Sequence, residues 1–176
     1  MATKKTSMFT LTERVTISAN STDTFATIDL GSYVDVGDRQ AIQVHSVDFI
    51  FQGTTADESL GTTFGGDSYT QVQVTDLNRG GLVFSNDRAL VASGILTFDV
   101  GTLGFYNNSD LYPDNYGKGS DDGRYVVNDQ LYITARTINL AATKALNVTV
   151  RVNASIVSLT AKDFMAIAIQ STAADN

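Results

Sequence analysis

His45 is the sole histidine, so a catalytic triad, a histidine-ligated zinc or a histidine general base would all have to use it. No nucleophile motif stands near it, and a half-buried structural histidine is the expectation. A second concentration of polar chemistry runs from Asp110 to Gly123. There Asp110, Asp114, Asp121 and Asp122, with Asn115, offer the oxygen ligands that Ca2+ prefers. Their spacing does not follow the EF-hand pattern of acids at loop positions one, three and five, so two readings stay open: a calcium site at a subunit contact, or a solvated acidic loop. No other cofactor is expected.

Phe105, Tyr106, Tyr112 and Tyr116 belong to the same region. Rings beside Asp and Asn suit subunit contact, where Tyr is enriched and buries area with few rotors to freeze, or sugar stacking. The absence of Trp favours contact, and these four are the candidate interface residues. The adjacent acids Asp57-Glu58 and Asp121-Asp122 do not meet the defined separation that glycosidase carboxylates need, and read as solvated turn residues. Gly65-Gly66 and Gly80-Gly81 precede no helix with a Lys-Ser/Thr pair and are not phosphate loops. The expectation is that the chain is not an enzyme.

The elements that must position these groups are strands. Leu146, Val148, Val150, Val152, Ala154 and Ile156 alternate with Asn147, Thr149, Arg151, Asn153 and Ser155, the period of a β-strand with one wet face. Seven further strands are predicted: 8–18, 24–30, 40–51, 69–76, 81–85, 94–99 and 125–136. In the first, Glu13 interrupts an apolar face and needs a partner or a rim position. In the third, Ile42 and Val44 are apolar at even positions but Val47, Phe49 and Phe51 at odd ones, which predicts a β-bulge near His45-Ser46. Asp35 to Asp38 reads as a turn, and residues 86–93 as a connection with a helical turn capped by Asn86 or Asp87. Thr160 to Asp163 reads as a helix cap, followed by the short apolar face of Phe164, Ile167 and Ala168. Residues 53–68 and 101–123 are left as long connections, the length at which loops are usually functional.

Composition narrows the function classes. One domain over 1–176 is expected, with residues 1–7 as a flexible arm and 160–176 as helix and tail. No cysteine is present, which removes disulfides and thiolate metal sites. The net charge of −7, with 19 acids against 12 bases, argues against direct nucleic-acid binding. No apolar run approaches the length of a membrane span and no secretory signal is recognised, so four Asn-x-Ser/Thr sequons, at Asn20, Asn107, Asn147 and Asn153, are read as unused. Antiparallel strands without intervening helices leave a sandwich or barrel.

Two segments, 39–51 and 148–168, together with the order of strands, long loops and final helix, resemble the single jelly-roll capsid proteins of small icosahedral viruses. The resemblance implies an all-β, eight-stranded antiparallel jelly-roll sandwich with a short C-terminal helix. It implies a major capsid subunit of the virion, made in the host cytoplasm and assembling with copies of itself in capsomers, with a second capsid protein as a candidate partner. The chain lacks the long basic arm of genome-packaging relatives and is similar instead to capsid proteins of tailless viruses with an internal membrane beneath the shell. The alternative reading is a carbohydrate-binding module or lectin-like β-sandwich. A cupin-like enzyme is disfavoured, because metal cupins usually supply several histidines.

Overall fold

The computed structural model describes residues 3–4, 6–35, 37–111 and 124–172. Among them the strands are β1 (Thr3–Lys4), β2 (Phe9–Ile17), β3 (Thr24–Asp29), β4 (Gln40–Gln52), β5 (Ser68–Thr75), β6 (Leu90–Asp99), β7 (Gly104–Leu111), β8 (Arg124–Val126), β9 (Gln130–Thr137) and β10 (Leu146–Ser158), followed by helix α1 (Ala161–Thr172). One sheet runs β2-β10-β4-β8, with β1 also on β10, and the other runs β3-β9-β5-β6-β7; every pairing is antiparallel. Apart from β1 and the edge strand β7, the first strand lies beside the last and the second beside the last but one. That is the doubled Greek-key order of a jelly roll.

The alternation in residues 146–154 does what its period requires. Leu146, Val148, Val150, Val152 and Ala154 are all fully buried between the sheets, facing Ile133, Leu131, Val72 and Val74 in one contiguous core. β10 is central because both its edges are used, by β2 on one side and β4 on the other. The predicted bulge is present: Ser46 pairs with Asn153 and Val44 with Ala154, leaving His45 as the extra residue. That insertion lets Ile42 and Val44 before it, and Phe49 after it, face the same core. Glu13 takes a half-buried place on β2, at the open edge of its sheet.

Four sequence expectations are corrected. Residues 81–85 form no strand, because the Val83 backbone is bound by a side chain: the Gln73 carboxamide donates to its carbonyl and accepts from its N–H, both at 2.8 Å. Residues 125–136 are two strands in different sheets, β8 and β9, joined across the sandwich by residues 127–129. The connection 86–93 holds no helix; Asp87 Oδ1 accepts from the Ala89 N–H at 2.8 Å in a turn, and β6 already begins at Leu90. Part of the long connection after Gly101 is the strand β7.

Thr160 caps α1, its Oγ1 accepting from the Asp163 N–H at 3.2 Å. Phe164, Ile167 and Ala168 then pack on Ala41, Val127, Val157 and Leu159, a small second core on the outside of the first sheet. The helix therefore lies on its own domain.

Loops 18–23, 53–67, 100–103 and 138–145 gather at one end of the sandwich and are tied to one another by polar contacts. Asn20 exchanges two hydrogen bonds with the Leu140 backbone, and Asp67 Oδ1 accepts from the Val100 N–H at 2.8 Å. Glu58 is the hub: it accepts from the Thr54 N–H at 2.8 Å, from the Thr62 hydroxyl and from the Lys144 ammonium. The expectation of a solvated turn residue at Glu58 is thus corrected. The Lys144 hydrogen bond holds its carboxyl well below the usual range, at about 2. A depressed carboxyl value contributes stability that is present above the ordinary value and is lost as pH falls towards the folded one. Acidification from pH 5 to pH 2 is expected to loosen this loop end before the core, seen as faster amide exchange in 54–63, and Glu58→Gln is expected to flatten that dependence.

Candidate subunit interface

The tip of the β6-β7 hairpin is built around a strained residue. Asp99 Oδ1 accepts from the N–H groups of Gly101 and Thr102, which turns the chain, and Leu103 completes the turn at φ 52°. That left-handed conformation costs a leucine roughly 1–2 kcal/mol, and glycine is the residue that normally fills it. Leu103 is nevertheless 74% exposed, so no core contact explains its side chain. Among the described residues five non-glycines have positive φ, and four of them, Ser21, Leu103, Asn139 and Thr143, sit in the loops of this one end. Backbone conformations of this kind cluster where surrounding contacts over-determine the chain, as the cross-linked loops of this end do.

Val100 and Tyr106 flank Leu103 and are 51% and 59% exposed. Tyr106 is opposite Thr97 on the outer face of the second sheet, in a row with Tyr69. Phe105 points the other way, into the sandwich, where its ring stacks on Phe98 with centroids 4.7 Å apart and meets Phe64 at 6.4 Å. From Val100 to Ser109 there is no charged residue, and the exposed Val100, Leu103 and Tyr106 stand there beside the Asp67 and Asp99 carboxylates that bind the N–H groups of residues 100–102.

The other candidate residues separate from this patch. Asp110 lies on β7 opposite Ser93. Asp114, Asp121, Asp122, Tyr112 and Tyr116 lie outside the described residues. Among the described residues no group of three or more His, Asp or Glu side chains could hold a metal ion. His45 Nε2 is 2.9 Å from Ser155 Oγ, the distance of a nucleophile and its base, but Ser155 is fully buried and closed to any substrate. Asn20, Asn147 and Asn153 of the sequons each use both carboxamide atoms in hydrogen bonds.

At the opposite end of the sandwich an ion pair joins the sheets. Arg124 of β8 reaches Asp76, just past β5, at 3.0 Å, with the two side chains 8% and 2% exposed. Arg124 also donates to the Arg88 carbonyl. Burial pushes the Asp76 carboxyl up, against the pull of Arg124, and its Oδ1 has no partner among the described residues. On the outer face of the second sheet the loop at 78–80 overhangs β3 and β9, leaving a cleft of about 320 Å³ lined by Phe25, Thr27, Asn78, Gly80, Tyr132 and Thr134.

Sequence reasoning missed Leu103 and the ion pairs. Strain at Leu103 is a property of φ with no signature in residue type. Asp76 and Arg124 are 48 positions apart, with nothing local to link them.

No family model and no curated protein matches the chain. A solved chain from Desmodium yellow mottle tymovirus is similar at 8% identity, covering 88% of this chain and 90% of that one, with a TM-score of 0.34. Among the described residues no helix is long and apolar enough to cross a membrane.

Proposed function

We propose that this chain is a structural virion protein, a major capsid subunit that assembles with copies of itself into an icosahedral shell. The observation that carries the reading is the strained hairpin tip and its exposed apolar side chains: Leu103 is held at φ 52° and 74% exposed, with Val100 and Tyr106 beside it. A monomer gains nothing from that arrangement, whereas a shell subunit needs a rigid core that presents apolar contacts to neighbours. The jelly roll supplies such a core without committing the chain to chemistry, since fold alone does not fix function. In this reading the subunit is made in the host cytoplasm, is not an enzyme and touches its own copies in capsomers. A second capsid protein completes the shell, a viral membrane lies beneath it, and the acids of 110–122 are the place for calcium.

The test is the assembly state of the purified chain by light scattering and negative-stain imaging across salt and Ca2+ concentrations. Closed particles or discrete symmetric capsomers are expected; a strict monomer under all conditions overturns the proposal. Leu103→Gly supplies a sharper form. It is expected to stabilise the subunit by about 1 kcal/mol in urea denaturation, by removing the left-handed strain, while weakening assembly.

The second reading is a carbohydrate-binding module, favoured by the cleft at Phe25 and Tyr132, where an aromatic ring 55% exposed lies beside Asn78 and Thr27. A monomer whose tyrosine fluorescence responds to glycans would select it.

A further inference from the structure

Among the described residues β7 is the terminal strand of its sheet, paired with β6 on one side only. Its outer backbone N–H and C=O groups have no partner strand among the described residues. Exposed edges of this kind are templates for pairing, and proteins blunt them with short strands, charges, proline or bulges. Three of the other edges carry such devices, β8 with three residues, β1 with two and β2 with Glu13 and Arg14, while β3 is a shorter strand of six residues whose one charge is Asp29. β7 runs for eight residues with continuous register, no proline and no base, and its only charge is Asp110.

We infer that β7 pairs antiparallel with β7 of a second copy across a two-fold axis, joining two five-stranded sheets into one. The inference rests on the shell reading and names one of its contacts. A second copy is the occupant because copies of a chain with net charge −7 repel one another on average, which favours contact through a segment that brings no like-charged side chains to the seam. The run Val100 to Ser109 meets that requirement and includes most of β7. A two-fold also uses up the edge, since each strand satisfies the other and the contact closes.

The geometry restricts the register. Outward backbone groups come from alternate residues, so residues facing each other across the axis must have the same parity. The axis therefore passes through a residue, not between two, and the middle of β7 places it at Asn107 or Asn108.

The chain's lack of cysteine makes this testable by single-site oxidation of the full-length protein, using Tyr106→Cys, Asn107→Cys and Asn108→Cys. The residue on the axis meets its own copy at a Cα separation of about 4.5–5.5 Å, within disulfide reach. One position away, two strand rises add roughly 7 Å along the strand and take the pair beyond it. Expected is a doubling of mass on non-reducing gels for one of Asn107→Cys and Asn108→Cys, and none for Tyr106→Cys. Cross-linking at neither, or equally at all three, overturns the pairing. Light scattering on the same samples keeps the two readings apart. Particles without a position-specific cross-link sink the pairing and leave the shell, whereas cross-linked dimers that never grow larger sink the shell and leave the pairing.

Discussion

Replacing Arg124 by Met is expected to destabilise the fold by about 3–5 kcal/mol, the cost of leaving a buried carboxylate without its counter-ion. The pair is closed to solvent and joins β8 of one sheet to the end of β5 in the other, so relaxation cannot expose Asp76 without parting the layers. Urea denaturation at pH 7 measures the loss, and its pH dependence identifies the cause. Burial raises the Asp76 carboxyl, so between the unfolded and the folded value the folded state holds the proton more firmly than the unfolded chain does. That contribution is full below the unfolded carboxyl value and is lost as pH rises through the folded one. Removing Arg124 extends the loss, so the deficit of the variant is expected to shrink on acidification towards pH 4. Pairing Arg124→Met with Asp76→Leu is expected to recover most of it, because an apolar replacement of a buried ion pair is often neutral. A deficit that stayed constant with pH would show that packing of the arginine stem, and not its charge, is what the fold needs.

Gly94→Ala is the second large effect, at about 1–3 kcal/mol from overpacking. Gly94 faces the core from β6, and a Cβ there would lie 2.6 Å from Cδ2 of Phe49, with two more ring atoms at 3.1 Å. The ring belongs to β4 in the opposite sheet and is buried among core side chains, so it cannot swing aside. Phe49→Leu in the same background is expected to relieve the clash, and the double variant to cost less than the sum of the singles. Thermal or urea denaturation of the four chains completes the cycle; strict additivity would place the strain elsewhere.

Much of this architecture was legible because it depends on period. The alternation of 146–154 and the phase change at His45 are properties of single segments, and both reappear in the sheets. What depends on partners was not legible. β7 reads as a loop because its sequence lacks an apolar alternation: Phe105 stacks on Phe98, but Asn107 and Ser109 follow it at the same parity. Residues 81–85 look like a strand because Leu82, Val83 and Phe84 are apolar, yet the side chain of Gln73 takes the backbone bonds a neighbouring strand would have made. At the candidate site Tyr106 was found from residue type, whereas Leu103 required φ and Arg124 required the third dimension.

The central position of β10 sets the order of events during synthesis. β2 and β4 share no ladder with each other; each is completed only by residues 146–158. A nascent chain therefore carries its first long strand for more than a hundred residues before the partner exists, a closure that is slow by its sequence separation. The β5-β6-β7 meander can form earlier from neighbouring residues, with the β7 edge already exposed. On the pairing inferred for β7, half-made subunits crowded on one message are expected to meet at this edge before their first sheet is complete.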